Sequence, residues 1–246
     1  MMSTKKDQVV VDKSSVGLFA EFSLDELLSF ESKLQENRML ALTHPVGKRI
    51  FEIIQNWNHF VSFEDITYYH ARELEEKDKK EYPDEEMMMI PMNMSSHGRY
   101  NEIGKSCYYI SESKEGALKE ILKHRKEKEP RIQVIGLRTA KSAKLLDLSG
   151  KTNVFIHHLR LPAQNTGKIT KEYLLPNFVA ACCREVGIEG IRYQSTGYKC
   201  CVLWRDDYFE IIEGSQEVVP WSKLQAIDTS KNDDQNPFAP QRQLSA

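Results

Sequence analysis

Between Gly98 and Glu120 the chain reads GRYNEIGKSCYYISESKEGALKE. Within this stretch the apolar spacing changes from that of a strand to that of a helix, which commits the chain to a mixed fold. Gly98 and Gly104 bracket Arg99, Tyr100 and Asn101, so a tight turn with backbone free to adopt positive φ presents a guanidinium. SCYYIS alternates as a strand does, and Ser113 is placed to cap a helix carrying Gly116, Ala117, Leu118 and Ile121 at helical spacing. Glu120 lies two turns into that helix. An Arg held on a Gly-bounded loop suits a planar, bidentate grip on phosphate or carboxylate.

The same reading extends in both directions. Ser23 with Glu26 makes a capping box for a helix through about Asn37, with Leu24, Leu27, Leu28 and Phe30 on its apolar side. A second helix runs from Pro45 to Trp57. Strands are expected over Phe63–Ala71, Ile132–Leu137, Lys144–Leu148, Val154–Leu161 and Ile191–Tyr193. Cys200–Trp204 and Tyr208–Ile212 read as a hairpin joined at Asp206-Asp207. Tyr173–Val186 reads as a packed helix with Pro176 in its first turn. Helices and strands neither alternate strictly nor segregate, which argues for α+β with a largely antiparallel or mixed sheet. The domain reading is a mobile N-terminus over 1–15, a helical extension over 16–61, a catalytic body over 62–221 and a disordered tail over 222–246.

A charge of −2 over 246 residues gives no reason to expect a sequence-independent nucleic-acid or membrane surface. The charge runs at 73–86 and 124–131 mix both signs and read as solvated faces. No stretch approaches the roughly 20 apolar residues of a membrane helix, and the N-terminal residues lack the apolar segment of a signal peptide, so a cytoplasmic location is expected. Five cysteines, two pairs of them adjacent and none in C-x-x-C spacing, read as free thiols rather than structural zinc ligands. His157 and His158, placed on a strand, would point to opposite faces and would not share a metal ion. The Met-rich run at 87–94 reads as core filling. Without a G-x-G-x-x-G after a strand, a Rossmann site is not supported.

The central unit resembles the core of the RES-domain family, whose members carry an Arg in a GR-aromatic-N turn, then Tyr, then Glu. GIEGIRYQSTGY at 187–198 is similar to the family's Gly-Ile-x-Tyr-x-Ser stretch, with Ser195 as the Ser. The likeness covers roughly residues 62–212 and rests on three separated segments in the same order. It implies a split sheet like that of the ADP-ribosyltransferase folds. It also implies an enzyme that consumes NAD, by phosphorolysis to nicotinamide and ADP-ribose 1''-phosphate, with no resident cofactor or metal. Arg99, Glu120 and Ser195 would be the catalytic set, and Arg72, Tyr100 and Tyr109 would bind substrate. The family's setting is a bacterial toxin–antitoxin pair, so a helix-turn-helix antitoxin is the partner implied.

That chemistry makes definite demands. The nicotinamide of NAD leaves as a good leaving group, so positive charge builds on the ribose and needs an oriented carboxylate or its hydrogen bonds. The diphosphate needs a cation, and the nicotinamide a flat, dry slot that Tyr rings supply. Ser195 has no sequence-adjacent base and reads as a phosphate-binding hydroxyl rather than an activated nucleophile. Two positions depart from the family pattern. His70 stands where an Arg is common two residues before Arg72, and Glu102 puts an acid beside the presumed anion site. ADP-ribosyl transfer, hydrolysis of NAD, and a catalytically silent binding module are the alternatives.

Overall fold

The structure, a computed structural model, describes residues 17–74, 80–88, 94–150, 153–163, 169–195 and 197–227. The expectations for 1–15 and for most of the 222–246 tail lie outside them, as do 75–79 in the charged run and 89–93 in the Met-rich run.

Helix α1 spans Leu24–Asn37 and starts with the expected capping box. Ser23 Oγ accepts from the Glu26 N–H at 3.3 Å, and Glu26 Oε2 accepts from the Ser23 N–H at 2.9 Å. Its inner face is Leu27, Phe30 and Leu34, at three- and four-residue steps. Leu24 and Leu28 belong to the neighbouring stripe and are 52% and 47% exposed. Helix α2, Pro45–Gln55, has Pro45 in its first turn and buries Val46, Ile50 and Ile54.

Both helices share one core with the rest of the chain. Phe30, Ile50 and Ile54 pack with Leu175, Val179 and Cys183 of a later helix and with Ile191, Tyr193 and Val202 of the sheet. That later helix, α6, spans Leu174–Glu185, with α3 (Asp84–Met87), α4 (Lys114–Lys123) and α5 (Val154–Leu159) before it.

Among the described residues the sheet has eight strands: β1 Tyr68–Glu73, β2 Tyr108–Ser111, β3 Ile132–Thr139, β4 Leu145–Asp147, β5 Gly190–Ser195, β6 Tyr198–Leu203, β7 Phe209–Ile211 and β8 Glu217–Val219. Their order is β4-β5-β6-β2-β1-β3-β7, with β8 also on β3. Among the described strands only β4 with β5 is parallel, so the sheet is mixed. β1 and β3 pair continuously from Tyr68–Leu137 to Glu73–Ile132, and β5 with β6 equally fully. Between β1 and β2 the register holds at Tyr69–Ser111 alone. The sheet therefore has a seam, with β4-β5-β6-β2 on one side and β1-β3-β7-β8 on the other. The split implied by the family likeness corresponds to this thin joint rather than to two separate sheets.

Several expectations need correction. Val154–Leu161 is not a strand: Asn153 caps α5, its Oδ1 accepting from the Ile156 N–H at 2.9 Å, and Phe155, Ile156 and Leu159 are buried at helical spacing. His157 and His158 are therefore on a helix, and His158 Nε2 lies 2.8 Å from Glu31 Oε1. Among the described residues no group of three or more His, Cys, Asp or Glu is arranged to hold a metal. The hairpin is β5–β6, turning at Gly197 with φ +83°, because β6 lies between β5 and β2 while β7 pairs with β3 at the far edge. β1 begins at Tyr68, not Phe63, so Arg72 is within the strand. Helix α7, Trp221–Leu224, crosses the start of the expected tail and buries Leu224 completely.

The five cysteines are free, and Met87 is fully buried. No helix among the described residues is long and apolar enough to cross a membrane.

Candidate active site

Strand alternation divides the site residues before any side chain is considered. Tyr69 pairs with Ser111, so Tyr69, Ala71, Tyr109 and Ser111 share one face. Ile191, Tyr193 and Ser195 join them through β6. Helices α4 and α6 cover this face. Tyr68, His70, Arg72 and Tyr108 project from the other face.

Helix α4 is seated by its first turn. Ser113 Oγ accepts from the Gly116 N–H at 3.0 Å. A Cβ at Gly116 would lie 2.4 Å from Ser111 Oγ and 2.8 Å from Tyr198 Cβ, so the helix rests directly on β2 and the hairpin. One turn on, Glu120 reaches the end of β5, where Ser195 Oγ donates to Glu120 Oε1 at 2.5 Å across 75 positions of sequence. Lys123 Nζ stands 3.6 Å from the same oxygen.

The Arg99 turn is closed by paired backbone bonds, Gly98 N–H to Asn101 O at 3.0 Å and Asn101 N–H to Gly98 O at 3.3 Å. Of its two glycines only Gly104 adopts positive φ, at +80°. Gly98 is required for space instead, since a Cβ there would lie 2.1 Å from Asn101 Oδ1. Asn101 is buried; its Nδ2 donates to Ser96 O at 2.7 Å, and its Oδ1 accepts from the Tyr109 hydroxyl at 2.8 Å. Tyr109 Oη in turn accepts from the Tyr100 N–H at 3.1 Å. Asn177 of α6 clamps the turn from above, Nδ2 donating to Gly98 O, Arg99 O and Tyr173 O at 2.9, 3.1 and 2.6 Å.

So held, Arg99 donates from Nη1 to Leu159 O at 2.6 Å and Leu161 O at 3.2 Å, past the end of α5, and its Cζ lies 5.1 Å from the Tyr173 ring centre. Its Nε and Nη2 donate to none of the described residues.

Arg99 and Glu120 act on the same neighbours. Burial raises the pKa of the Tyr173 phenol; the Arg99 charge opposes that shift and the Glu120 charge adds to it. His124, four residues after Glu120 at the end of α4, is lowered first by its surroundings, with Glu120 opposing and Arg99 reinforcing. Tyr193 is raised well above its ordinary value by burial, with Glu120 contributing. The arrangement holds a carboxylate bonded to a hydroxyl, and a cation with spare donors stacked on the Tyr173 ring, whose opposite charges both act on that phenol; it suits a charged substrate held by an anionic group.

Three expected substrate residues take other positions. Tyr100 is 1% exposed, with its ring 5.0 Å from Tyr193 and burial pushing its hydroxyl up to about 12. Tyr109 spends its hydroxyl on the Arg99 turn. Arg72 is on the opposite face, stacked 4.3 Å over Tyr82 and donating to Glu86 O.

His70 is there too, 4.6 Å from Tyr108 ring to ring, with Nδ1 2.7 Å from Tyr109 O at the seam. Burial lowers its pKa from 6.5 to about 4, so it is neutral at pH 7 and is not a titrating stand-in for a substrate Arg. The unfolded chain takes up this proton first. The His70 contribution to stability is therefore present above pH 6.5 and is lost as pH falls toward 4, by up to about 3 kcal/mol. Denaturant titrations of wild type and His70→Phe across pH 7 to 4 should show a smaller acid loss in the variant.

Glu102 is paired with Lys105, Nζ to Oε2 at 2.7 Å, so its charge beside the turn is compensated. Tyr173, Asn177 and His124 were not singled out in the sequence. His124 had one local signal, its i+4 spacing from Glu120 on a helix; the other two sit in an apolar helical run that reads as core.

A model of the RES domain matches residues 71–222. The chain belongs to the RES-domain family. The matched region holds every residue of the site, from the Arg99 turn to Ser195, while α1 and α2 precede it. The chain is also similar to a protein in the crystal structure of the M.tuberculosis MbcT-MbcA toxin-antitoxin complex, at 11% identity and a TM-score of 0.47, covering 75% of this chain and 97% of that one. No curated protein matches it.

Proposed function

We propose that this RES-domain protein degrades NAD, by phosphorolysis to nicotinamide and ADP-ribose 1''-phosphate. The observation that carries the reading is the Ser195–Glu120 hydrogen bond, together with an Arg99 whose charge acts on two of the same neighbours as that of Glu120, Tyr173 and His124. Arg99 would hold the diphosphate or the attacking phosphate through its uncommitted nitrogens. Glu120 would face the positive charge that grows on the ribose as nicotinamide leaves. Ser195 would orient that carboxylate, or turn its single O–H from Glu120 to an oxygen of the arriving phosphate.

Hydrolysis and ADP-ribosyl transfer to a protein use the same site with a different acceptor. The silent-module reading is weakened because His70 lies on the other face and Glu102 is neutralised by Lys105. By family likeness, the cellular role proposed is that of a toxin restrained by a helix-turn-helix antitoxin.

The reaction is tested by incubating the protein with NAD, with and without inorganic phosphate. Nicotinamide release that rises with phosphate, with ADP-ribose 1''-phosphate as product, is expected. Release indifferent to phosphate would replace phosphorolysis with hydrolysis. No release from soluble, folded protein would end the enzymatic reading.

A further inference from the structure

An ion network centred on a buried arginine lies on the sheet face opposite the site. Arg192 of β5 is 5% exposed. Its Nε is 3.5 Å from Glu112 Oε1, its Nη1 3.3 Å from Glu64 Oε1, and its Nη2 donates to Ser62 O at 2.9 Å. Glu112 follows β2 directly and is 3.9 Å from Lys199 Nζ; its backbone N–H donates to Lys199 O at 3.0 Å. Because β6 separates β2 from β5, the Arg192–Glu112 contact crosses under β6.

The Ser195–Glu120 bond crosses over the same strand on the other face. The two contacts are linked through the chain: Arg192 is three residues before Ser195 on β5, and Glu112 directly precedes Ser113, the cap of the helix carrying Glu120. We propose that the Arg192–Glu112 pair is a positioning device that fixes the approach of α4 to the end of β5 and thereby sets the Ser195–Glu120 contact.

A buried ion pair is poor evidence of stabilisation, because apolar residues of similar size commonly serve as well or better. Alignment is what opposed charges add: the Arg192 Nε to Glu112 Oε1 separation of 3.5 Å is an ion-pair contact without a hydrogen bond, and Arg192 makes its directional bonds to Ser62 O and Glu64 Oε1 instead. A displacement of about 1 Å at a reacting centre costs up to about a hundredfold in rate. The pair touches no expected substrate atom, so its loss should change kcat and spare KM. The inference rests on reading Glu120 and Ser195 as site residues.

The test is the double variant Glu112→Leu/Arg192→Met, which removes both charges and strands neither, with Arg192→Lys as the conservative control. The double variant should keep its Tm within about 3 °C and its KM for NAD within about twofold, while kcat falls about ten- to a hundredfold. Arg192→Lys should recover most of that loss. In a crystal structure of the double variant the Ser195–Glu120 separation should open beyond about 3.5 Å. An unchanged kcat and an unchanged separation would overturn the proposal. So would a kcat loss that only follows the fraction unfolded. If wild-type protein releases no nicotinamide, the proposed function fails, and the separation alone decides this inference.

Discussion

Glu120→Gln is expected to lower nicotinamide release from NAD by about two to three orders of magnitude while leaving the fold intact. The exchange keeps shape and volume, and a Gln oxygen still accepts from Ser195 Oγ, so the hydrogen bond seen at 2.5 Å survives in kind. What disappears is the negative charge. Glu120 is partly exposed, with 27% of its side chain accessible, so its removal strands no deeply buried cation. Lys123 nearby is itself exposed enough to be solvated. Tm should stay within about 3 °C. The loss should fall on kcat, because the diphosphate is assigned to Arg99. Steady-state kinetics with a thermal melt check this, and a rate within threefold of wild type would remove Glu120 from the chemistry.

Gly98→Ala should damage both stability and activity, for a steric reason. The new Cβ would meet Asn101 Oδ1 at 2.1 Å and Tyr109 Oη at 3.0 Å. Neither can retreat: Asn101 is held by Ser96 O, and Tyr109 by Asn101 and the Tyr100 N–H. The turn must open, and Arg99 moves with it. A cost of about 2–4 kcal/mol is expected, a fall in Tm of roughly 5–10 °C, with activity reduced more than about tenfold. Gly150→Ala is the matched control, since a Cβ there meets none of the described residues within 4 Å; its Tm should hardly move. If the two variants melt together, the Arg99 turn is softer than its hydrogen bonds imply.

What could be read from the sequence was what local chemistry decides. The Ser23–Glu26 box, Pro45 at a first turn, the β2 alternation and the Ser113 cap each depend on residues within one helical turn, and each formed as expected. Arg99, Glu120 and Ser195 came from family pattern, and only folding brings Ser195 to Glu120. The misreadings have physical causes. Val154–Leu159 is a short apolar run, too brief for periodicity to separate helix from strand. The hairpin was misplaced because strand pairing is decided by distant partners: β6 completes its ladder with β2, a hundred positions away in order of magnitude, rather than with its successor. Arg72 could be assigned a face only once Tyr69 was known to pair with Ser111. Asn177 and Tyr173 matter through backbone carbonyls and ring faces that no spacing rule announces.

Helices α1 and α2 bear on where this protein could be shortened. Leu27, Phe30, Ile50 and Ile54 fill space against Leu175, Val179 and Ile191, all of which lie inside the stretch common to the family. A chain cut back to that shared stretch would leave those side chains facing water. The unit that must fold together is thus larger than the stretch the family model matches, and α1 and α2 act as a built-in wall rather than a removable attachment.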